Sequence, residues 1–420
     1  MKASIIFVFL IITINTQLYP TLLPLSEDEK NEFQIEFIDL FDHTTLVRDT
    51  QKSYFNLSLK SEELVQQMGM GYDLSNTLDA YIAKETQYDQ GLSSETCWGN
   101  PYTTEEMIES YVSKGFKSLR IPVTWHNHFI DKDYTIDPDW MKRVKTVVDW
   151  AYSKGLIVIL NMHHDDAQYN EDKLPYGSGF YLLKKHREES EKFIYNIWRQ
   201  ISIAFNNGYG ERLIFESLNE PRLVGLEREW WCPADDKTCI EANEVLMEYN
   251  RLVLKTVRLS GGNNLVRFMM FPTIGASYDN LAKFDFKLPE DKEFNVNNDR
   301  MLLSLHMYTP YNFALNEDKT YKIFTKEYQQ ELLDDFKYLY DNLILKGIHI
   351  VIGEMGCTDK DNMDERLKYA KFYVENARKY HLASILWVVN YDRKQLSWES
   401  DKLIDTYIDA AETPFSDKPY

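Results

Sequence analysis

From about residue 61 onward, short apolar runs bounded by polar or glycine-containing turns alternate with longer segments of helical spacing. The short runs fall at residues 68–72, 118–122, 156–161, 213–218, 265–271, 301–306, 349–353 and 385–389. Runs of this length between turn signals read as buried strands. The longer segments, 140–152, 193–205, 246–259, 328–345 and 367–380, repeat apolar residues three and four apart, as Trp140, Val144, Val147 and Val148 do. Strands alternating with helices predict a parallel sheet, because parallel neighbours need a crossover between them. Eight such strands fit an α/β fold of the (β/α)8 TIM-barrel type better than an open sheet, though periodicity alone does not separate the two. The link between the fifth and sixth strands is the least helical.

Ahead of this alternation, Lys2 precedes an apolar stretch from Ile5 to Ile14 that is too short to span a bilayer comfortably. Residues 1–19 therefore read as a signal peptide, and the mature chain is expected to be secreted, extracellular and free of the membrane. Residues 20–60 read as an acidic N-terminal extension, with Glu27, Asp28, Glu29, Glu32 and Glu36 close together. No repeat or low-complexity linker follows, so residues 61–412 are expected to form one catalytic barrel domain. The chain holds 4 cysteines. In a secreted chain Cys232 and Cys239, close together in a polar loop, are the disulfide candidate; the state of Cys97 and Cys357 is left open. Asn56-Leu57-Ser58 is the glycosylation candidate.

Charge and composition narrow the class. The 47 basic and 66 acidic residues leave a net charge of −19, which supplies no basic surface for phosphate and argues against nucleic acid as a partner. Aromatic residues make up 14% of the chain. That fraction suits flat sugar ligands and a well-packed core equally, and by itself favours the core.

The polar residues carry more information through their positions. The predicted strands run into Arg120, then Asn161-Met-His163-His164-Asp165-Asp166, Asn219-Glu220-Pro221, His306-Met-Tyr308, Gly353-Glu354-Met-Gly356 and Trp387-Val-Val-Asn390. Strand C-termini of a barrel converge on one face, so these groups are expected around one pocket. Any one of them is explained as a cap or a satisfied turn; six strands ending this way are not. Two glutamates across a cleft can cleave a glycosidic bond, one attacking the anomeric carbon and the other protonating the leaving oxygen. On that reading Arg120 holds Glu354 ionised, while repulsion and burial raise the pKa of Glu220. The adjacent His163 and His164 raise the question of a metal. Neighbours on an extended strand point to opposite sides, so no metal site is expected. Neither a G-x-S-x-G motif nor a glycine-rich phosphate loop is present.

Taken together, Asn219-Glu220-Pro221, Gly353-Glu354, Arg120, His163-His164, His306-x-Tyr308 and Trp387 resemble glycoside hydrolase family 5 (cellulase family A). Gly71-Tyr-Asp-Leu-Ser-Asn76-Thr-Leu-Asp79-Ala80, Trp98-Gly-Asn-Pro101 and Pro122-Val-Thr-Trp125-His-Asn-His128 are similar to its subfamily 4 endoglucanases. So are Phe215-Glu216, Gly261-Gly-Asn-Asn264 and Thr309-Pro310-Tyr311, and the likeness runs in order over residues 61–400. The resemblance implies Glu220 as acid/base and Glu354 as nucleophile in a retaining mechanism. It implies that Asn219 bonds the sugar 2-hydroxyl and that Tyr308 and Arg120 orient Glu354. His163, His164 and His306 would line the cleft, Trp387 would stack under the sugar, and Asn76 and Trp98 would contact substrate. Trp125 joins Trp98, Trp387 and Tyr308 as a possible platform or orienting group. Asp73 and Ser75 stand where the family usually has Asn and Gly, Met355 where it often has Phe, and Cys357 closely follows the nucleophile motif.

The expectation is thus a cofactor-independent, monomeric, secreted endo-β-1,4-glucanase acting on cellulose or mixed-linkage β-glucan. Neither a carbohydrate-binding module nor a dockerin-like tail is expected. Xyloglucanase, xylanase or mannanase activity is the nearest rival, since loops decide specificity. A non-catalytic glycan-binding barrel and a metal-dependent hydrolase are rivals of other classes.

Overall fold

The computed structural model describes residues 52–82, 89–294, 298–388 and 391–419. The proposed signal peptide and most of the acidic extension lie outside these residues, as does Asn390. Eight parallel strands close into a barrel in chain order: β1 (Met70–Asp73), β2 (Ser118–Ile121), β3 (Ile157–Asn161), β4 (Leu213–Glu216), β5 (Met269–Ser277), β6 (Met301–His306), β7 (His349–Gly356) and β8 (Leu382–Val388). The sheet closes where β8 pairs with β1, Gly71 opposite Ile385. A Cβ on Gly71 would stand 2.2 Å from Ile385 Cδ1 and 2.6 Å from Ser118 Oγ, so any larger residue at this seam must push those side chains aside.

The 2.0-residue period sorts each strand into two faces. Ile157, Ile159, Ile214, Met270, Leu302, Val351, Ala383 and Ile385 share one buried cluster. Alternate residues such as Val158, Leu160, Phe215, Leu303 and Ile350 belong to the larger cluster that includes the helix-borne apolar side chains. The same inward face carries Ser118 and Arg120 on β2, Glu216 on β4, and Ser304 and His306 on β6, all buried. Thus the barrel interior is apolar at one end and polar at the other. Phe55, Leu59, Leu64, Val65 and Met68 join the apolar cluster, so residues ahead of β1 cap the end opposite the polar one.

The outer helices follow the predicted spacing. Between β1 and β2 lies α2 (Glu105–Lys114), preceded by α1 (Ser61–Gln67), which leads into the barrel. Next, α3 (Pro138–Ser153) buries Trp140, Met141, Val144, Val147, Val148 and Ala151; its first turn is capped by the Asp137 carboxylate and opened by Pro138. Then come α4 (Arg187–Ala204), α5 (Lys237–Leu259), the short α6 (Tyr278–Lys283) and α7 (Tyr311–Ala314), followed by α8 (Lys326–Asn342), α9 (Met363–Lys379) and α10 (Asp401–Ala411). The weak helical signal between the fifth and sixth strands matches α6, which has 6 residues. Strand β5 begins later than the apolar run at 265–271, because Gly262–Val266 forms a 3-10 turn. Cys232 and Cys239 are disulfide-bonded with Cα atoms 5.7 Å apart, tying the loop after β4 to α5; Cys97 and Cys357 are free. Asn56 is half-buried, and its Oδ1 accepts from the backbone N–H and hydroxyl of Ser58. No described helix is long and apolar enough to cross a membrane.

Candidate active site

Arg120 organises the polar end of the barrel. Strand register places it opposite Asp73, just as it places Asn161 opposite Glu216 and His306 opposite Glu354. Four of the five N–H groups of its guanidinium have carboxylate or amide acceptors. Nε donates to Glu216 at 2.8 Å; Nη1 donates to Asp73 at 3.1 Å and to Glu354 at 3.0 Å; Nη2 donates to Asn219 at 2.7 Å and faces His306 Nε2 at 3.4 Å. A guanidinium has five N–H groups, so only the one facing the His306 ring lies outside these bonds. Glu216 in turn accepts from Asn161 Nδ2 at 3.0 Å and Ser304 Oγ at 2.5 Å. It is the counter-charge that anchors the far side of Arg120.

Glu354 also accepts from the Tyr308 hydroxyl at 2.8 Å. Burial, with the charges of Glu354 and Glu220, pushes the Tyr308 phenol far up, so it remains a donor. Across the cleft, Glu220 Oε1 stands 2.7 Å from His306 Nδ1, which is 3.6 Å from Glu354 Oε1. The two carboxylates present oxygens within 4.8 Å of each other. His306 therefore sits between them. Burial disfavours its charge, but Glu354 and Glu220 outweigh that and hold the imidazole above its ordinary value.

This placement reverses the expected directions for the two glutamates. Burial pushes Glu220 up, yet the hydrogen bond and charge of His306, with Arg222 and Arg120, bring it below the ordinary carboxyl value. Burial and the Glu220 charge leave Glu354 above it, despite His306, Arg120 and Tyr308. Spacing along the chain gives no sign that a histidine bridges the pair. Both shifts favour a proton on His306 over one on Glu220.

The remaining expected groups surround this centre. Asn219 gives its side-chain oxygen to Arg120, which leaves its NH2 as the donor. His163 accepts from Asn161 Nδ2 through Nδ1 at 3.1 Å and stacks on Trp387, centroids 5.6 Å apart and planes 10° apart. Burial and neighbouring cations push His163 well down, and mainly burial takes His164 to about 4, so both rings are neutral donors or acceptors. Trp98, 43% exposed, lies 5.6 Å from the His164 ring and donates Nε1 to Tyr81 O. Asn76 is exposed in the turn after β1, at φ 57°.

Two expectations need correcting. His163 and His164 do not diverge: their ring centroids are 4.3 Å apart, because β3 has ended at Asn161 and the strand alternation no longer applies. Together with Asp79 they bring ligand atoms within 4.8 Å, as Glu220, His306 and Glu354 also do. The Asp79 oxygens already accept from the backbone N–H groups of Asn76 and Thr77, and Arg120 adjoins the other set. Trp125 is no sugar platform, being wholly buried with its indole N–H on Asn161 O.

Two exposed indoles stand outside the sequence expectations, Trp230 (66%) and Trp231 (64%), which immediately precede Cys232 of the disulfide after β4. The Arg222 guanidinium lies over Trp230 at 4.6 Å and donates to the backbone oxygen of Glu220, which puts this ring beside the acid/base candidate. Lys283 lies over Trp231 at 4.2 Å. Adjacent tryptophans in a charged loop, where burial has no claim on them, were the available signal.

A (β/α)8 barrel with two paired carboxylates, neutral imidazoles and indole faces at its strand C-termini defines a glycoside hydrolase. The family model described as Cellulase (glycosyl hydrolase family 5) matches residues 82–393, and the chain belongs to that family. It is 36% identical over 364 residues to Endoglucanase A of Clostridium longisporum, covering 83% of this chain but only 65% of that protein's length. Among solved structures, a family 5 lichenase from Caldicellulosiruptor sp. F32 superposes with a TM-score of 0.77 at 32% identity, covering 87% of this chain and 99% of that one. A GH5-4 broad-specificity endoglucanase from C. longisporum gives a TM-score of 0.74 at 32% identity, with 84% and 99% covered.

Proposed function

We propose that the protein is a secreted, retaining endo-β-1,4-glucanase that cuts internal bonds of cellulose or mixed-linkage β-glucan. The observation that carries this reading is the carboxylate pair: oxygens of Glu220 and Glu354 lie within 4.8 Å, too close to admit a water in line between them. That spacing suits a nucleophile and an acid/base rather than the wider inverting arrangement. Glu354, held by Arg120 and Tyr308, attacks the anomeric carbon as the bond to the leaving oxygen breaks. The leaving oxygen takes the proton of Glu220, which His306 can supply along its 2.7 Å contact. Glu220 then removes a proton from water; the resulting hydroxide oxygen bonds to the anomeric carbon and releases Glu354. Asn219 donates to the 2-hydroxyl, Trp387 carries the sugar at the point of cleavage, and His163, His164, Asn76 and Trp98 bind on one side of it. Trp230 and Trp231 serve the leaving-group side.

The names of the relatives support the substrate class. The breadth described for the C. longisporum enzyme keeps xyloglucan, xylan and mannan as a second reading. Product profiles on carboxymethyl cellulose, barley β-glucan, xyloglucan, xylan and mannan decide between them, and NMR of the first-formed anomer tests retention. Equal inactivity of wild type and Glu354→Gln on all five would leave a glycan-binding barrel instead. Full activity in chelator is expected; its loss would favour the metal-dependent rival. Residues 1–19 act as the export signal and residues 20–60 as an extension of a monomeric catalytic unit, readings checked by N-terminal sequencing of secreted protein and by light scattering.

A further inference from the structure

Asp73, where the resemblance leads one to expect asparagine, is fully buried at the end of β1. One oxygen accepts from Arg120 Nη1, the same nitrogen that serves Glu354; the other has no partner among the described residues. Three carboxylates thus share one guanidinium. They are not equally served: Glu216 takes three donors and Glu354 two, whereas Asp73 has one. Holding three negative charges around one guanidinium in a buried site is costly, and an anionic oxygen without a donor costs more than a neutral one. The proton therefore falls to the carboxyl with fewest donors. We propose that Asp73 is a positioning residue that keeps its proton while Glu354 is ionised, so that it braces Arg120 without drawing charge from the nucleophile.

The charged and titratable groups around Asp73 agree with this. Arg120 reaches it from β2, Glu216 from β4 and Glu354 from β7; Tyr308 follows β6 and Tyr72 adjoins it on β1. β8, the other neighbour of β1, has no titratable side chain between Leu382 and Val388. Burial pushes Asp73 well up; Arg120 opposes this, and Glu354 and Glu216 add to it. When Asp73 does ionise at higher pH, the added charge reaches His306 through Arg120 Nη2. The proton shared by His306 and Glu220 is then held longer, and the alkaline limb of activity is extended.

The catalytic consequence rests on the proposed glucanase reading, but the protonation state does not, so the test has two arms. In the first, infrared pH-difference spectra of the free protein should show a protonated-carboxyl band near neutral pH that is missing from Asp73→Asn. A variant spectrum identical to wild type overturns the proposal even if no glucan is cleaved. In the second, kcat/KM is followed against pH on an aryl β-cellobioside. Asp73→Asn should keep its acid limb within a few tenths of a pH unit and bring the alkaline limb down by about one unit. An acid limb moved down by a full unit would mean Asp73 is already ionised when Glu354 titrates, and overturns the proposal. An alkaline limb that stays in place would overturn the link from Asp73 to His306 but not the protonation of Asp73. Asp73→Ser removes the same proton and replaces Asp73→Asn in both arms if the latter does not fold.

Discussion

Arg120 Nη1 lies 3.0 Å from Glu354 Oε1, and the same guanidinium also donates to Glu216, Asp73 and Asn219. A lysine offers one point of charge and no fork, so Arg120→Lys leaves at least two of Glu216, Asp73 and Asn219 without their donor. We expect kcat to fall by ~10²-fold or more with a smaller change in KM. Steady-state kinetics on barley β-glucan checks this, and an unchanged kcat would remove Arg120 from the catalytic arrangement.

The two glutamates should separate by leaving group. Glu354→Gln is expected to lose activity on every substrate, by ~10⁴-fold or more, since no bond to the anomeric carbon can form. Glu220→Gln should lose ~10²–10⁴-fold on glucan, where the departing alkoxide needs a proton. It should stay far more active on dinitrophenyl cellobioside, whose leaving group does not. Similar losses on both substrates would reverse or cancel these roles.

Trp230 lies under the Arg222 guanidinium, which donates to the backbone oxygen of Glu220. Trp230→Ala should raise KM for cellopentaose about 3–10-fold, the weight of one ring stack, and leave an aryl cellobioside nearly unaffected. Trp387→Ala should impair both, because that ring stacks on His163 within the cleft. Equal effects of the two variants on the short substrate would move Trp230 off the leaving-group side.

Stability should also depend on pH at a site remote from the chemistry. Asp335 on α8 is raised to about 7, mainly by burial and by the neighbouring Glu331 charge, against an ordinary value of 3.8. A raised carboxyl destabilises the fold once it must ionise. The contribution is absent below about pH 4, grows as pH rises, and is complete above about pH 7. Asp335→Asn should therefore raise Tm at pH 8, by the equivalent of ~1–2 kcal/mol after allowance for solvent screening, and leave it unchanged at pH 4. Calorimetry at the two pH values decides it.

Much of this was legible because a barrel repeats its grammar. Each apolar run ends at the same face, so Arg120, Glu220, His306 and Glu354 could be grouped before any coordinate was known. The exceptions occur where backbone leaves the regular strand. His163 and His164 lie beyond Asn161, and alternation predicts nothing about them. The position of His306 between the glutamates depends on the register shift where β6 meets β7, which inverted the expected pKa order. Trp125 looked like a ligand platform because tryptophan suits either role, and only burial distinguishes them. Trp230 and Trp231 belong to a loop without periodicity, where pattern carries no positional information.

Phe55 and Leu59 give the barrel floor a practical meaning. Both are buried in one cluster with β-strand side chains such as Ile214 and Leu302, although they precede α1 and β1. An expression boundary drawn at Ser61, where the repeating pattern begins, would strip two apolar side chains worth roughly 1.5–3 kcal/mol each and open the floor to water. A boundary upstream of Phe55 keeps both side chains, and these two residues of the acidic extension belong to the apolar cluster of the barrel.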